Sequence, residues 1–161
     1  RHVGILATSG TIKSESYPME VHKLFPDVKV TGEACPMWVP LVENNEAHTP
    51  GADYFVQQKI KEMFTLDPLI DSVILGCTHY PLIRDNIRRI YPDLRIVNHS
   101  EEVVHRIHQV LENEDLFADQ RSGDHTFYAS DLSENFVNMI NRIFELTEFR
   151  VAFKNFDLPT V

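Results

Sequence analysis

Residues 72–82 read Ser72-Val73-Ile74-Leu75-Gly76-Cys77-Thr78-His79-Tyr80-Pro81-Leu82. The apolar run at the start of this stretch is typical of a buried strand, and Pro81 is typical of the first turn of a helix. The positions that follow are apolar at a helical spacing: Leu82, Ile83, Ile87 and Ile90. The stretch therefore predicts a strand, a tight turn and a helix, in that order.

The turn between this strand and this helix, Gly76–His79, carries a cysteine and a histidine. A cysteine just before a helix faces the positive end of the helix dipole and unpaired backbone N–H groups, and both favour thiolate over thiol. Cys77 is thus a candidate nucleophile or base. A small buried cysteine that closes the strand fits the local pattern equally well. Pairing with His79 would also suit a cysteine hydrolase, which needs an oxyanion hole and an orienting partner as well.

Strand and helix patterns alternate along most of the chain on either side of this unit. Strand-like runs occur at 2–7, 28–30, 70–75, 94–97 and 125–129. Helical patterns occur at 12–24, where Pro18 is expected to bend or restart the helix, at 52–64, after Pro81, from Ser100 onward and at 131–146. Residues 34–42 and 113–124 predict loops. This alternation predicts an α/β fold with a mostly parallel sheet flanked by helices.

Two turns of this predicted fold carry chemical groups. Thr8–Thr11 follows the first strand, and Gly76–His79 follows the strand at 70–75. Ligands of parallel sheets bind beyond the carboxyl ends of the strands, where backbone N–H groups, hydroxyls and an imidazole would suit a small carboxylate. The chain has neither a GxGxxG nor a GxxxxGK[ST] motif, so dinucleotide and triphosphate binding have little support.

Composition narrows the classes of protein further. The 161 residues are 43% hydrophobic and 24% charged, as in a globular chain. The net charge of −9 argues against a nucleic-acid surface, and no apolar run approaches the roughly 20 residues of a membrane span. The two cysteines, Cys35 and Cys77, are far apart, which fits a reducing cytoplasm. His105 and His108 lack a carboxylate or thiol that would complete a metal site, so no metal is expected.

Four segments resemble, in the right order, segments of the glutamate racemase family. The resemblance covers nearly the whole chain, and its segments are Val3–Ile12, Ala34–Glu43, Gly76–Leu82 and Phe127–Asp131. It implies a cofactor-independent isomerase that interconverts L- and D-glutamate. D-glutamate is a building block of bacterial peptidoglycan, so the resemblance also implies a role in cell-wall synthesis and cell shape. Together with the composition, it leads us to expect a cytoplasmic protein and a homodimer, with neither nucleic acid nor membrane as a partner.

The resemblance assigns roles to individual residues. In this family two cysteines flank the substrate α-carbon, and Cys77 matches the one that acts on L-glutamate. Thr78 and His79 match substrate contacts, and His79 also assists the proton traffic of Cys77. Glu43 matches a carboxylate that orients this histidine. Thr8 and Thr11 match positions near the substrate.

The chain also departs from the family pattern. The family's first half, with its Cys-Asn-Thr motif and second base, has no counterpart here, and Cys35 matches a non-catalytic position where packing is expected. Residues 1–104 are therefore interpreted as the family's second lobe and 105–161 as the returning part of the first. A chain of this extent is expected to be a fragment, inactive alone and prone to dimerise through the apolar face of its last helix: Phe136, Ile140, Ile143 and Phe144.

Two other functions stay open from the sequence. Related racemases act on aspartate or other amino acids and share a shorter cysteine motif. A non-catalytic module that keeps the fold and binds a small dicarboxylate would carry the same turns.

Overall fold

Four parallel strands form the larger sheet in the computed structural model, which describes residues 1–119, 125–144 and 149–156. The strands are β1 (His2–Ala7), β2 (Lys29–Ala34), β3 (Ser72–Leu75) and β4 (Arg95–Val97). Their order across the sheet is β2-β1-β3-β4. The chain thus adds β2 on one side of β1 and then continues with β3 on the other side. The predicted mostly parallel α/β architecture is confirmed.

Helices connect these strands. They are α1 (Ser9–Lys13), α2 (Ser16–Leu24), α3 (Trp38–Glu43), α4 (Pro50–Leu66), α5 (Arg84–Ile90), which follows a 3₁₀ turn at Tyr80–Ile83, and α6 (His99–Asn113). The core lies between α4, the 3₁₀ turn, α5 and the sheet, and its members are fully buried: Leu6, Val56, Ile60, Met63, Val73, Leu75, Ile83 and Ile87. Burial of one such side chain contributes about 1.5–3 kcal/mol.

Two prolines lie inside helices rather than ending them. Pro18 is the third residue of α2, and Pro40 is the third residue of α3. The N–H groups of the first helical turn have no acceptor within the helix, so proline costs no hydrogen bond there. The predicted helix at 12–24 is therefore wrong as a single unit, because the break comes at Ser14–Glu15, before Pro18. The predicted loop at 34–42 is also wrong in part, since α3 occupies its end.

The chain divides into two compact units, Arg1–Glu114 and Asp115–Val161. The second contains β5 (His125–Ala129), α7 (Glu134–Phe144) and β6 (Phe149–Phe153), and its two strands are parallel. The Phe127 ring lies 5.0 Å from that of Phe144 and 5.9 Å from that of Phe149. β6 was not among the predicted strands. The predicted lobes, 1–104 and 105–161, stay predictions; α6 runs through position 105.

Candidate active site

The Thr8 and Gly76 turns leave the sheet side by side. β1 and β3 are neighbours, Leu6 pairs with Leu75, and the Gly76 N–H donates to the Leu6 carbonyl at 2.8 Å. This is the point where the chain changes from one side of β1 to the other, the usual position of a ligand in an open parallel sheet. The two turns that the sequence predicted as a common site thus follow neighbouring strands at the carboxyl edge of the sheet.

Thr8 caps the short helix α1. Its Oγ1 accepts a hydrogen bond from the Thr11 N–H at 3.5 Å and lies 3.1 Å from Thr11 Oγ1. A threonine at this position satisfies one of the free N–H groups of the first turn. The two hydroxyls are therefore held as a pair, one of them at the very end of β1.

The His79 ring lies between the side chains of Cys77 and Glu43. Cys77 Sγ is 3.9 Å from His79 Nδ1, and His79 Nε2 is 3.3 Å from Glu43 Oε1. Both His79 and Glu43 remain partly exposed. A neutral imidazole can carry its single proton on either nitrogen. A ring between a thiol and a carboxylate is therefore suited to pass a proton to or from the sulfur.

The packing of α3 places Glu43. Glu43 is the last residue of α3, which is held against the 3₁₀ turn by the buried residues Trp38 and Val42. The Trp38 and Tyr80 ring centroids are 4.9 Å apart. The third hydroxyl of the site, Thr78 Oγ1, lies 3.4 Å from His79 Nδ1 and is exposed.

Cys35 has a different environment. It is fully buried, its Sγ donates to the Glu33 carbonyl at 3.6 Å, and its own carbonyl accepts from the Tyr80 hydroxyl at 2.9 Å. Burial and then the charge of Glu33 raise the pKa of the Cys35 thiol. The described surroundings agree with the packed, non-catalytic cysteine that the sequence analysis expected.

One residue near the site escaped the sequence analysis. Tyr17, in the first turn of α2, packs against Gly76. No motif marks it, because the contact joins segments about 60 positions apart in the chain. The signal available in the sequence was the short distance along the chain between this tyrosine and the predicted Thr8–Thr11 turn.

Two further features concern ligands and membranes. Among residues 1–119, 125–144 and 149–156, no three His, Cys, Asp or Glu side chains come together as a set that could hold a metal ion. In the same residues, no helix combines the length and the apolar character needed to cross a membrane.

Comparison with known proteins identifies the relatives of this chain. No protein-family model matches it. The glutamate racemase of Oceanobacillus iheyensis is 31% identical over 156 residues, which cover 92% of this chain and 55% of the racemase. A solved glutamate racemase of Bacillus anthracis superposes with a TM-score of 0.82 at 29% identity, over 96% of this chain and 57% of that one.

This chain is homologous to the glutamate racemases. The racemase of Francisella tularensis, solved in complex with D-glutamate, shares the fold with a TM-score of 0.86 at 24% identity, over 97% of this chain and 58% of that one. The chain spans about half the length of the racemases that it matches. The resemblance predicted from the four segments is confirmed.

Proposed function

We propose that this chain supplies one of the two bases of a cofactor-independent glutamate racemase. The observation that carries the proposal is the position of His79 between Cys77 and Glu43 at the carboxyl edge of the sheet. β3, which precedes Cys77, pairs with β1, which precedes the Thr8–Thr11 pair, and ligands of parallel sheets bind at this edge. The homologous racemases support the reaction and the substrate.

The reaction needs a base at the substrate α-carbon. In the proposed step the Cys77 thiolate forms an S–H bond as the Cα–H bond breaks, and the electron pair stays on the α-carbon. A second thiol, on the opposite face, then donates a proton to that carbon. His79 would exchange the proton of Cys77 between turnovers, and Glu43 would hold the ring of His79 in position.

The hydroxyl groups would hold the substrate. Thr8, Thr11 and Thr78 present hydrogen-bond donors to a small anionic amino acid, and donors arranged before reaction stabilise a carbanion-like state. D-glutamate is the ligand in the Francisella tularensis racemase. We therefore propose glutamate as the substrate, with the product used in peptidoglycan synthesis in the cytoplasm. No cofactor is part of this proposal.

Racemisation by the complete protein that contains this chain tests the proposal. Loss of optical activity of L-glutamate, followed by circular dichroism, should be abolished by Cys77→Ala. The matched variant Cys35→Ala should keep most of the activity, because Cys35 lies in the core. Equal losses from both variants would contradict the role of Cys77. If the complete protein racemised aspartate faster than glutamate, aspartate would be its preferred substrate and the glutamate assignment would be wrong.

A non-catalytic dicarboxylate-binding module is the second candidate for the chain by itself. The observation that favours it is that the described residues place one accessible thiol at the site, since Cys35 is buried. Residues 1–161 should then bind glutamate, as titration calorimetry would show, without racemising it over hours. Robust racemisation by residues 1–161 would exclude this candidate.

A further inference from the structure

We propose that Tyr80 is a positioning residue, whose hydroxyl fixes the distance between His79 and Glu43. This inference rests on the proposed function, in which Glu43 holds the ring of His79 in position. The resemblance assigned no role to Tyr80. Its side chain is fully buried, so it acts through its neighbours and not on a substrate.

Two separate segments of the chain carry the contact between His79 and Glu43. His79 directly precedes the 3₁₀ turn at Tyr80–Ile83, and Glu43 is the last residue of α3. The contact joins His79 Nε2 to Glu43 Oε1 at 3.3 Å, and both side chains are partly exposed. Exposed ion pairs hold segments together only weakly. The geometry of this pair therefore depends on other contacts between α3 and the turn.

The Tyr80 hydroxyl makes such a contact just before the start of α3. It donates to the Cys35 carbonyl at 2.9 Å, and this hydrogen bond is buried. Apart from the exposed pair at the other end of α3, it is the one hydrogen bond or ion pair that joins residues 35–43 to residues 76–83 in the described part of the chain. A buried hydrogen bond with a fixed donor direction limits how the two segments can move relative to each other.

The backbone of Cys35 connects three elements at this point. Its N–H donates to the Ala7 carbonyl at 2.9 Å, at the end of β1. Its carbonyl accepts the Trp38 N–H at 3.2 Å as well as the Tyr80 hydroxyl. The Trp38 and Tyr80 rings also pack against each other, with centroids 4.9 Å apart. One residue therefore ties the end of β1 to the start of α3 and to the 3₁₀ turn.

α3 transmits a change at this connection to Glu43. The helix has six residues, and at 1.5 Å per residue it is about 9 Å long. Because so short a helix moves as a unit, loss of the Tyr80 hydrogen bond at one end lets the other end turn relative to His79. A displacement of about 1 Å would take the 3.3 Å contact out of hydrogen-bond range.

Three variants isolate the hydroxyl of Tyr80. Tyr80→Phe keeps the ring against Trp38 and removes the hydroxyl alone. The matched control is Tyr91→Phe, because the Tyr91 hydroxyl also donates to a backbone carbonyl, that of Gln57 at 3.4 Å, but does so at the far end of α5. Cys35→Ala changes the side chain at the connection and keeps its carbonyl.

Nuclear magnetic resonance of this chain tests the proposal without any racemase assay. The ring nitrogen signals of His79 would be compared at one pH in the parent chain, in the three variants and in Glu43→Ala, which lacks the contact altogether. In Tyr80→Phe these signals should move toward those of Glu43→Ala, because the imidazole loses the same carboxylate. Tyr91→Phe and Cys35→Ala should keep the parent signals.

A tyrosine that serves only the core would leave His79 beside Glu43. Unmoved His79 signals in Tyr80→Phe, or a shift in another direction, would therefore overturn the proposal. A shift in Cys35→Ala toward the signals of Glu43→Ala would also overturn it, because core packing and not the hydroxyl would then set the contact. Thermal melts of each variant exclude unfolding as the cause of a change.

Kinetics of the complete protein separate this proposal from the proposed function. Tyr80→Phe should lower kcat about 10- to 100-fold and change KM little, because exchange of the Cys77 proton is part of each turnover. In the Glu43→Ala background the same substitution should cost little more, since the contact that it positions is already absent. Equal losses in both backgrounds would overturn the proposal. If the complete protein racemises no glutamate, the proposed function fails, and the His79 signals still decide the role of Tyr80.

Discussion

At the scale of single residues, the two cysteines differ in their access to solvent and in their surroundings. Cys35 is fully buried, and burial with the nearby Glu33 charge raises its pKa. Cys77 is partly exposed at the carboxyl edge of the sheet. In the folded chain at pH 7.5 we expect iodoacetamide to modify Cys77 and leave Cys35 unmodified, as mass spectrometry would show. Modification of Cys35 should appear when denaturant unfolds the chain; comparable rates in the native state would contradict the packed role.

Gly76 gives a second prediction at this scale. Gly76→Ala should lower the free energy of unfolding by about 1–3 kcal/mol, because the new Cβ would crowd both Tyr17 and Ala7. Urea denaturation measures this loss. The control is Gly10→Ala, since a Cβ at Gly10 meets no atom within 4 Å. An equal effect of the two substitutions would show that the crowding at Gly76 is relieved without cost.

The sequence predicted the groups of the site but not all of its geometry. Cys77, His79 and the Thr8–Thr11 turn follow strands, and strand order alone places their turns at one edge. Glu43 came from resemblance, and its distance to His79 depends on how α3 packs. Tyr17 was not predicted, because its contact with Gly76 joins segments that lie far apart in the chain.

At the scale of elements, a buried carboxylate joins the end of α4 to the amino ends of two strands of the sheet. Asp67 follows α4, is 1% exposed, and lies 2.8 Å from His2 Nδ1 and 3.1 Å from Lys29 Nζ. It also accepts from the Thr31 hydroxyl at 3.4 Å and from the Leu69 N–H at 3.2 Å. His2 and Lys29 begin β1 and β2, so one side chain fixes the amino ends of two paired strands.

This carboxylate makes the stability of the fold depend on pH. Burial acts to raise the pKa of Asp67, but the hydrogen bonds from His2, Leu69 and Lys29 outweigh it and lower the pKa to about 2. An unfolded aspartate titrates near pH ~3.9. The stabilisation is therefore complete above about pH 4 and is lost as the pH falls through about 2.

Asp67→Asn should consequently lower the melting temperature at pH 7, and the difference from the parent chain should shrink as the pH approaches 2. Melts followed by circular dichroism between pH 2 and pH 7 (a range set by the two pKa values) measure it. The exposed Asp27→Asn is the matched control and should leave the melting curves unchanged. A difference that stayed constant over this range would exclude the ionised carboxylate as its source.

The elements themselves were predicted unevenly, for physical reasons. Long apolar patterns, such as the one that became α4, were placed within a few residues, because burial of one face fixes the type of element. α3 was missed because Pro40 reads as a breaker, although its place in the first helical turn removes the cost. β6 was missed because its five residues carry no turn signal that sets them apart.

At the scale of the whole molecule, apolar surface remains uncovered in the second unit. Ile140 of α7 is buried, whereas Ile143 is 46% and Phe144 is 50% exposed. Tyr128 of β5 and Phe153 of β6 are also exposed. Exposed apolar patches favour association between copies, which is the physical basis for expecting a dimer of residues 1–161.

We therefore expect light scattering to show a mass that rises above 18.6 kDa with concentration. Ile143→Lys should shift the chain toward the monomer, because a charge would have to be desolvated within the contact. Leu24→Lys is the matched control: Leu24 is 75% exposed on α2, in the first unit, and its change should leave association as it was. If Leu24→Lys broke the dimer and Ile143→Lys did not, the contact would lie in the first unit instead. A chain that stayed monomeric at all concentrations would show that the exposed face of α7 does not drive association.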